Sequence, residues 1–299
     1  MLCNKNGYSM ITIEEIDSLK EENFCLKFEI DALAELLIRN ESERMVPNFS
    51  LEVIEHDHLD RYNLVLEYSM NKDVLEVACG TGYGSYIMAT KGGAHSVFAC
   101  DISEQAIRYA SHRYRNDIIH FSIQDAERLI LNKKFDLVIS FETVEHLTNC
   151  NQFLKNIKDC LNTNGFFIVS TPIAEVDIVE SPINPYHKQE WGFSYFQKMI
   201  SEYFVIEKIY LQMYQNEFLN EKIMNEFKKY EIKNKSIKNI IVRKLRRIIN
   251  GNVSKSPMLL TDWKDRQNFS KIEEFSNQFE ISDLGKKYNG YQILVCRKR

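Results

Sequence analysis

From residue 74 to residue 170 the chain alternates short apolar runs with stretches of helical period. The runs are Val74–Val77, Val97–Cys100, Ile118–Ile123, Phe135–Phe141 and Gly165–Ser170. Their continuity predicts parallel strands covered by helices on both faces. Helical patterns fill gaps at Glu104–Tyr114 and Asn151–Leu161. Tyr203–Tyr210 and Tyr291–Cys296 read as a sixth and a seventh strand. This alternation predicts an α/β fold, a doubly wound Rossmann-like sheet of seven strands.

Such folds bind ligands beyond the carboxyl ends of their strands. The first run leads into Ala78-Cys79-Gly80-Thr81-Gly82-Tyr83-Gly84-Ser85, and the second ends in Asp101. Glycines let a ligand approach the backbone, and a carboxylate at the end of the second strand can hold ribose hydroxyls. A nicotinamide site would want Gly or Ala at position 85, where this chain has Ser85. Glu76, just before the turn, would sit badly beside a pyrophosphate and suits a ligand carrying an ammonium and a sulfonium. Asp125 follows the third run, Glu142 and His146 the fourth, and Thr171-Pro172 the fifth.

The ordered set Val74–Gly84, Asp101, Asp125-Ala126, Phe141–Leu147 and Leu161–Gly165 resembles a class I S-adenosylmethionine-dependent methyltransferase, over about Glu43 to Tyr210. The resemblance implies that Gly80 and Gly82 pass the methionine part of the cofactor and that Asp101 holds the ribose. It implies that Asp125 contacts the adenine amine, that Ala126 lines the adenine slot and that Phe141 sits beside the cofactor. Glu76, Tyr83, Ile102 and Glu142 fall within the same expected cofactor set. Arg61 and Tyr62, with His58, belong to the segment expected to cover it; Arg61 either holds the methionine carboxylate or makes a surface salt bridge. Glu43-Arg44-x-x-Pro47, His58-x-x-Arg61-Tyr62 and Asn184-Pro185-Tyr186-His187-x-x-Glu190-Trp191 are similar to motifs of bacterial methyltransferases of surface-polysaccharide and glycan assembly.

Methyl transfer to a hydroxyl needs a base within hydrogen-bond reach. His146 is one candidate, or it orders its loop through Glu145; His187 is the other, or it pins a turn. Tyr186 and Trp191 are either an aromatic wall for a sugar or core residues of a lid. The spacing of His, Cys and carboxylate residues shows no metal-ligand pattern, so no metal is expected.

Residues 13–40 lack Gly and Pro and place Ile16, Asn23, Ile30 and Leu37 at a positions and Leu19, Leu26 and Leu33 at d positions. Ile at a, Leu at d and one Asn at a favour a parallel two-stranded coiled coil and hence a homodimer. The alternative is an amphipathic helix lying on the chain's own catalytic domain. In the resembling family the last two strands form a hairpin, so the long intervening stretch is an insertion. Lys228–Arg247 within it carries nine Lys or Arg and one Glu. It is read as a helix with a buried apolar and a solvated basic face, or as one lying on anionic lipid or on a partner. The expected organisation is therefore an N-terminal helix (1–42), a methyltransferase core (43–214), a helical basic insertion (215–287) and the last core strand (288–299).

A net charge of −4 argues against a chain devoted to nucleic acid. The seven cysteines include no Cys-x-x-Cys pair, which fits reduced thiols in the cytoplasm. No run has the length of a signal peptide's apolar segment or a membrane span, leaving at most a peripheral contact at the inner face of the membrane. Three functions remain: methylation of a sugar or glycan hydroxyl, methylation of a small lipid-like metabolite, or a non-catalytic scaffold.

Overall fold

The computed structural model describes residues 44–47, 50, 52–214, 270–275, 281, 284 and 290–299. The heptads of residues 13–40 and the basic stretch 228–247 lie outside the described residues.

Helix α1 (Glu52–Ser69) precedes β1 (Asp73–Val77), α2 (Tyr83–Thr90), β2 (Ser96–Asp101), α3 (Glu104–Arg113) and β3 (Ile119–Ile123). Next come β4 (Phe135–Phe141), α4 (Cys150–Cys160), β5 (Leu161–Ala174), the short β6 (Ile178–Val179) and β7 (Glu190–Gly192), and α5 (Phe193–Ser201). Strands β8 (Phe204–Tyr214), β9 (Ser270–Glu274) and β10 (Gly290–Lys298) complete the order. Local chemistry sets the helix starts. Ser103 caps α3 by accepting from the Ala106 amide at 3.2 Å, and Asn149 caps α4 by accepting from the Gln152 amide at 3.0 Å.

The main sheet runs β3-β2-β1-β4-β5-β10-β8-β9. Its first five strands are parallel, and β10 inserts antiparallel between β5 and β8. Three features depart from the sequence expectation. The sheet path holds eight strands, because β9 extends it on the outer edge of β8. A side ladder of β7 on β5 and β6 on β7 adds two more. Strand β3 has no fully buried residue, because it forms the other edge and lacks cover on both faces.

Successive side chains of the central strands point to opposite faces. Val74, Leu137, Ile139, Ile293 and Val295 join Val65 and Met88 in one core, while Leu75, Val77, Val138 and Leu294 join Phe153, Leu154 and Ile157 in the other. Each fully buried side chain of this size contributes about 1.5–3 kcal/mol. Strand order reverses between β1 and β4, the switch point at which doubly wound sheets open a crevice. Ala78 and Glu142, at the carboxyl ends of those two strands, have φ of 60° and 48°. Left-handed backbone at non-glycine residues is strained and concentrates at functional sites.

Candidate functional site

The glycine turn is tied to the tip of β2. The Gly80 amide donates to Asp101 Oδ2 at 2.9 Å, with Gly80 at φ 56°. Asp101 Oδ1 accepts from the Ser103 amide at 2.9 Å and from Arg44 Nη2 at 3.2 Å. Arg44 also covers Gly80, with its Cγ 3.7 Å from where a Cβ would lie. Arg44 was part of a motif in the sequence but had no role there.

Two of the turn's glycines are needed by neighbouring side chains. A Cβ on Gly84 would lie 2.1 Å from the Tyr62 ring, and one on Gly82 would lie 2.7 Å from both Ala110 and Phe121. A Cβ on Gly80 would meet Arg44 at ordinary contact distance, whereas Gly82 and Gly84 make way for neighbouring side chains.

Glu76 is buried, and both carboxylate oxygens accept hydroxyl bonds, from Tyr62 and from Ser85. Ser85 thus has a positive role at the position where a dinucleotide site would want Gly or Ala. Burial raises the Glu76 carboxyl to about 7; the Ser85 and Tyr62 hydroxyls pull against this and Asp101 adds to it. Tyr83 is buried beneath the same turn, and its hydroxyl lies 2.7 Å from His58 Nδ1.

Arg61 is fully buried, so the surface salt bridge is excluded. Its Nη1 donates to Gln212 Oε1 at 2.7 Å, and its guanidinium stacks over the Tyr291 ring at 4.6 Å. Burial works to lower its pKa, but Glu142, Tyr291, Asp57 and Tyr83 outweigh it and hold Arg61 charged. Its Nε and Nη2 have no hydrogen-bond acceptor. Buried charged donors of this kind are completed by an anionic group such as a carboxylate. Phe141 is buried edge-on against Tyr62, with ring centroids 5.2 Å apart.

On the side where the resemblance implies adenine, Ile102 is an exposed apolar side chain beside Asp101. Asp125 Oδ1 caps the following 3-10 turn by accepting from the Glu127 amide at 2.9 Å, and Oδ2 lies 3.7 Å from Arg128 Nε. The Ala126 carbonyl accepts from Asn156 at 3.0 Å, fixing that turn against α4.

Beyond β4 and β5 the chain brings the two candidate bases together. The His146 and His187 rings meet edge-on, with centroids 4.8 Å apart. His146 Nδ1 donates to the Tyr186 carbonyl at 3.0 Å. His187 Nε2 accepts from Asn184 Nδ2 at 2.9 Å, and its Nδ1 donates to Glu190 Oε1 at 2.6 Å. These partners place a proton on Nδ1 of both rings, and the His187 Nε2 lone pair is taken by Asn184. The Glu145 carbonyl holds the loop by accepting from the amides of Lys188 and Gln189, at 2.7 and 3.3 Å. Glu145 is itself buried, and Oε2 accepts from Thr171 Oγ1 at 3.2 Å while Oε1 has no donor. Burial, reinforced by Glu142, holds this carboxyl well above the usual range. Glu142 Oε1 accepts from Ser170 Oγ at 2.7 Å.

Sequence spacing gave no metal-ligand pattern, yet one ligand atom from each of Glu145, His146 and His187 lies within 4.8 Å of the others. The convergence depends on a loop folding back, which a linear pattern does not contain. Tyr186 stands half-exposed at the rim. Trp191 does not: it is buried, stacks on Phe196 at 5.9 Å and belongs to the core, so its reading as a sugar wall is corrected. Its place in β7, between Ile173 and Ile178, turns the indole inward.

The Methyltransferase domain family matches residues 69–252, more than half of the chain. The chain belongs to this family. Several of the curated relatives that match it are named as S-adenosylmethionine-dependent methyltransferases. A probable S-adenosylmethionine-dependent methyltransferase of Mycobacterium tuberculosis is 31% identical over 152 residues, covering 50% of this chain and 54% of its own. A malonyl-[acyl-carrier protein] O-methyltransferase of Acetivibrio thermocellus is 31% identical over 108 residues, 36% of this chain and 38% of its own. The chain thus spans about half the length or less of these curated relatives. Among solved structures, the MccD protein aligns with TM-score 0.52 at 19% identity, covering 80% of this chain and 96% of its own. The N-methyltransferase NodS of Bradyrhizobium japonicum, solved with S-adenosyl-L-homocysteine, aligns with TM-score 0.50 at 11% identity, covering 91% and 98%. These two likenesses establish the methyltransferase fold.

Proposed function

We propose that this methyltransferase-domain chain transfers the methyl group of S-adenosylmethionine to a hydroxyl of a sugar or glycan intermediate. When bound, the cofactor supplies a methyl group on a positively charged sulfur. Glu76 and Asp101 supply negative charge and ribose acceptors, and Arg61 Nε and Nη2 are the donors suited to its carboxylate. The chain's own work is alignment and proton removal.

The observation that carries the acceptor class is the His146–His187 contact with both tautomers set. His146, with its Nδ1–H engaged by the Tyr186 carbonyl, and the adjacent His187, whose Nε2 accepts from the Asn184 amide, are the imidazoles suited to promoting loss of a hydroxyl proton. An acceptor that is already anionic needs none of this. Asn184, Glu190 and exposed Tyr186 make the surroundings polar, which favours a sugar over a lipid-like metabolite. Retention of Glu76, Asp101 and the glycine turn in working geometry speaks against a non-catalytic scaffold.

The test is transfer of labelled methyl to nucleotide sugars and glycan extracts. His146→Ala and His187→Ala should lower turnover by about 10²–10⁴, with cofactor affinity nearly unchanged. Full turnover in both variants, or transfer only to apolar metabolites, would overturn this assignment.

The assembly proposal rests on the heptads of residues 13–40: a parallel homodimer with two catalytic domains side by side, in the cytoplasm, with the basic stretch 228–247 as a candidate peripheral membrane contact. Light scattering of the full chain and of a 1–42 deletion tests the dimer; a full-length monomer at micromolar concentration rules it out.

A further inference from the structure

We propose that Glu145, His146 and His187 form a binding site for a divalent first-row transition cation, on which the acceptor hydroxyl is held. The chemical role rests on the hydroxyl reading above; the binding of the cation does not.

Three observations support the site. One ligand atom from each residue lies within 4.8 Å of the other two. Ligands bonded at about 2.1 Å stand about 3–4 Å from one another, so side-chain rotation of about 1 Å closes the shell. Glu145 is fully buried, and its Oε1 has no donor. A buried carboxylate oxygen without a partner is costly, and a cation satisfies it. Each histidine makes the outer hydrogen bond that metal-bound imidazoles make: His187 Nδ1–H to the Glu190 carboxylate at 2.6 Å, and His146 Nδ1–H to the Tyr186 carbonyl at 3.0 Å. Those bonds orient both rings and raise the basicity of Nε2. The Asn184 amide, which donates to His187 Nε2 at 2.9 Å, gives way when a cation takes that nitrogen.

Two imidazoles and one carboxylate suit Mn²⁺, Fe²⁺, Co²⁺ or Zn²⁺ better than Mg²⁺, which prefers oxygen ligands alone. Three protein ligands leave positions open, as catalytic metal sites do. Neighbouring hydroxyls of a sugar can occupy two of them. A hydroxyl bound there loses its proton to water more readily, its oxygen takes the methyl group, and the C–S bonding pair stays with sulfur. His146 and His187 would then promote the reaction as ligands, without taking the proton themselves.

The experiment is titration of the full chain, stripped with EDTA, with MnCl₂, CoCl₂, ZnCl₂ and MgCl₂, followed by calorimetry and by Mn²⁺ electron paramagnetic resonance. One saturable site is expected for the transition cations and a much weaker one for Mg²⁺. Glu145→Gln and His187→Gln should each weaken Mn²⁺ binding at least about tenfold, and Glu190→Gln about 10–100-fold. Retained S-adenosylhomocysteine binding reports that each variant is folded. Nitrogen couplings from two imidazoles in the Mn²⁺ spectrum of the wild-type chain provide a reading that needs no variant. Absence of saturable Mn²⁺, Co²⁺ and Zn²⁺ binding, absence of imidazole couplings, or binding indifferent to Glu145→Gln and His187→Gln overturns the site. Cation binding at this site without transfer to any hydroxyl supports the site and counts against the acceptor class. Hydroxyl methylation that persists in EDTA with no cation bound does the reverse.

Discussion

The Tyr62 ring lies over Gly84 so closely that a Cβ there would stand 2.1 Å from it. Helix α1 thereby docks on the start of α2, and the Tyr62 hydroxyl reaches Glu76. Gly84→Ala should push Tyr62 off this bond. We expect a loss of about 1–3 kcal/mol, the usual cost of overpacking, together with weaker cofactor binding. Thermal melts and calorimetry check both; an unchanged melting temperature would show that α1 shifts freely.

Glu76 makes stability and cofactor binding depend on pH. In the folded, ligand-free chain its carboxyl titrates at about 7, against a usual 4.5. The folded state therefore keeps a proton that the unfolded state releases. The contribution is complete below 4.5 and is lost as pH rises through about 7. The loss amounts to about 3 kcal/mol, and Glu76→Gln should abolish it. A cationic cofactor beside Glu76 favours the carboxylate, so binding near pH 6.5 should release protons. Calorimetry in buffers of different ionisation enthalpy reads this directly, and zero release in the wild-type chain refutes it.

Asp101 serves both turn and ligand. Asp101→Ala removes the acceptor of the Gly80 amide and the candidate ribose acceptor together. Cofactor affinity should fall by about 1.5–3 kcal/mol. Asp101→Asn keeps an acceptor oxygen and should lose less. If the two variants bind S-adenosylhomocysteine as well as the wild-type chain does, the ribose assignment fails.

Trp191 is a core residue. Trp191→Ala should destabilise the chain by about 3–5 kcal/mol, while Trp191→Phe should keep acceptor affinity. A stable Trp191→Ala variant that lost only acceptor affinity would restore the aromatic wall at that position.

The strands of the central sheet were legible because residues buried on both sides are mostly apolar, and Val74–Val77 and Phe135–Phe141 are apolar apart from Glu76, Asp136 and Ser140. The glycine turn was legible because left-handed backbone leaves a local mark: Gly80 in sequence, followed by Asp101 at a strand end. The edges were not. Strand β9 draws its register from β8 across the sheet, and half-buried β3 carries the same apolar letters as a buried strand. Side-chain destinations were decided in three dimensions as well. Tyr186 and Trp191 are near neighbours in sequence, but one stands at the rim and the other in the core, because the β7 ladder turns the indole inward. His146 and His187 meet only because the loop after β5 folds back and hydrogen-bonds to the Glu145 carbonyl. Sequence by itself determined the central elements and the glycine turn, since those depend on neighbours along the chain. Tertiary structure alone decided which distant side chains share the acceptor side, since that depends on loop closure.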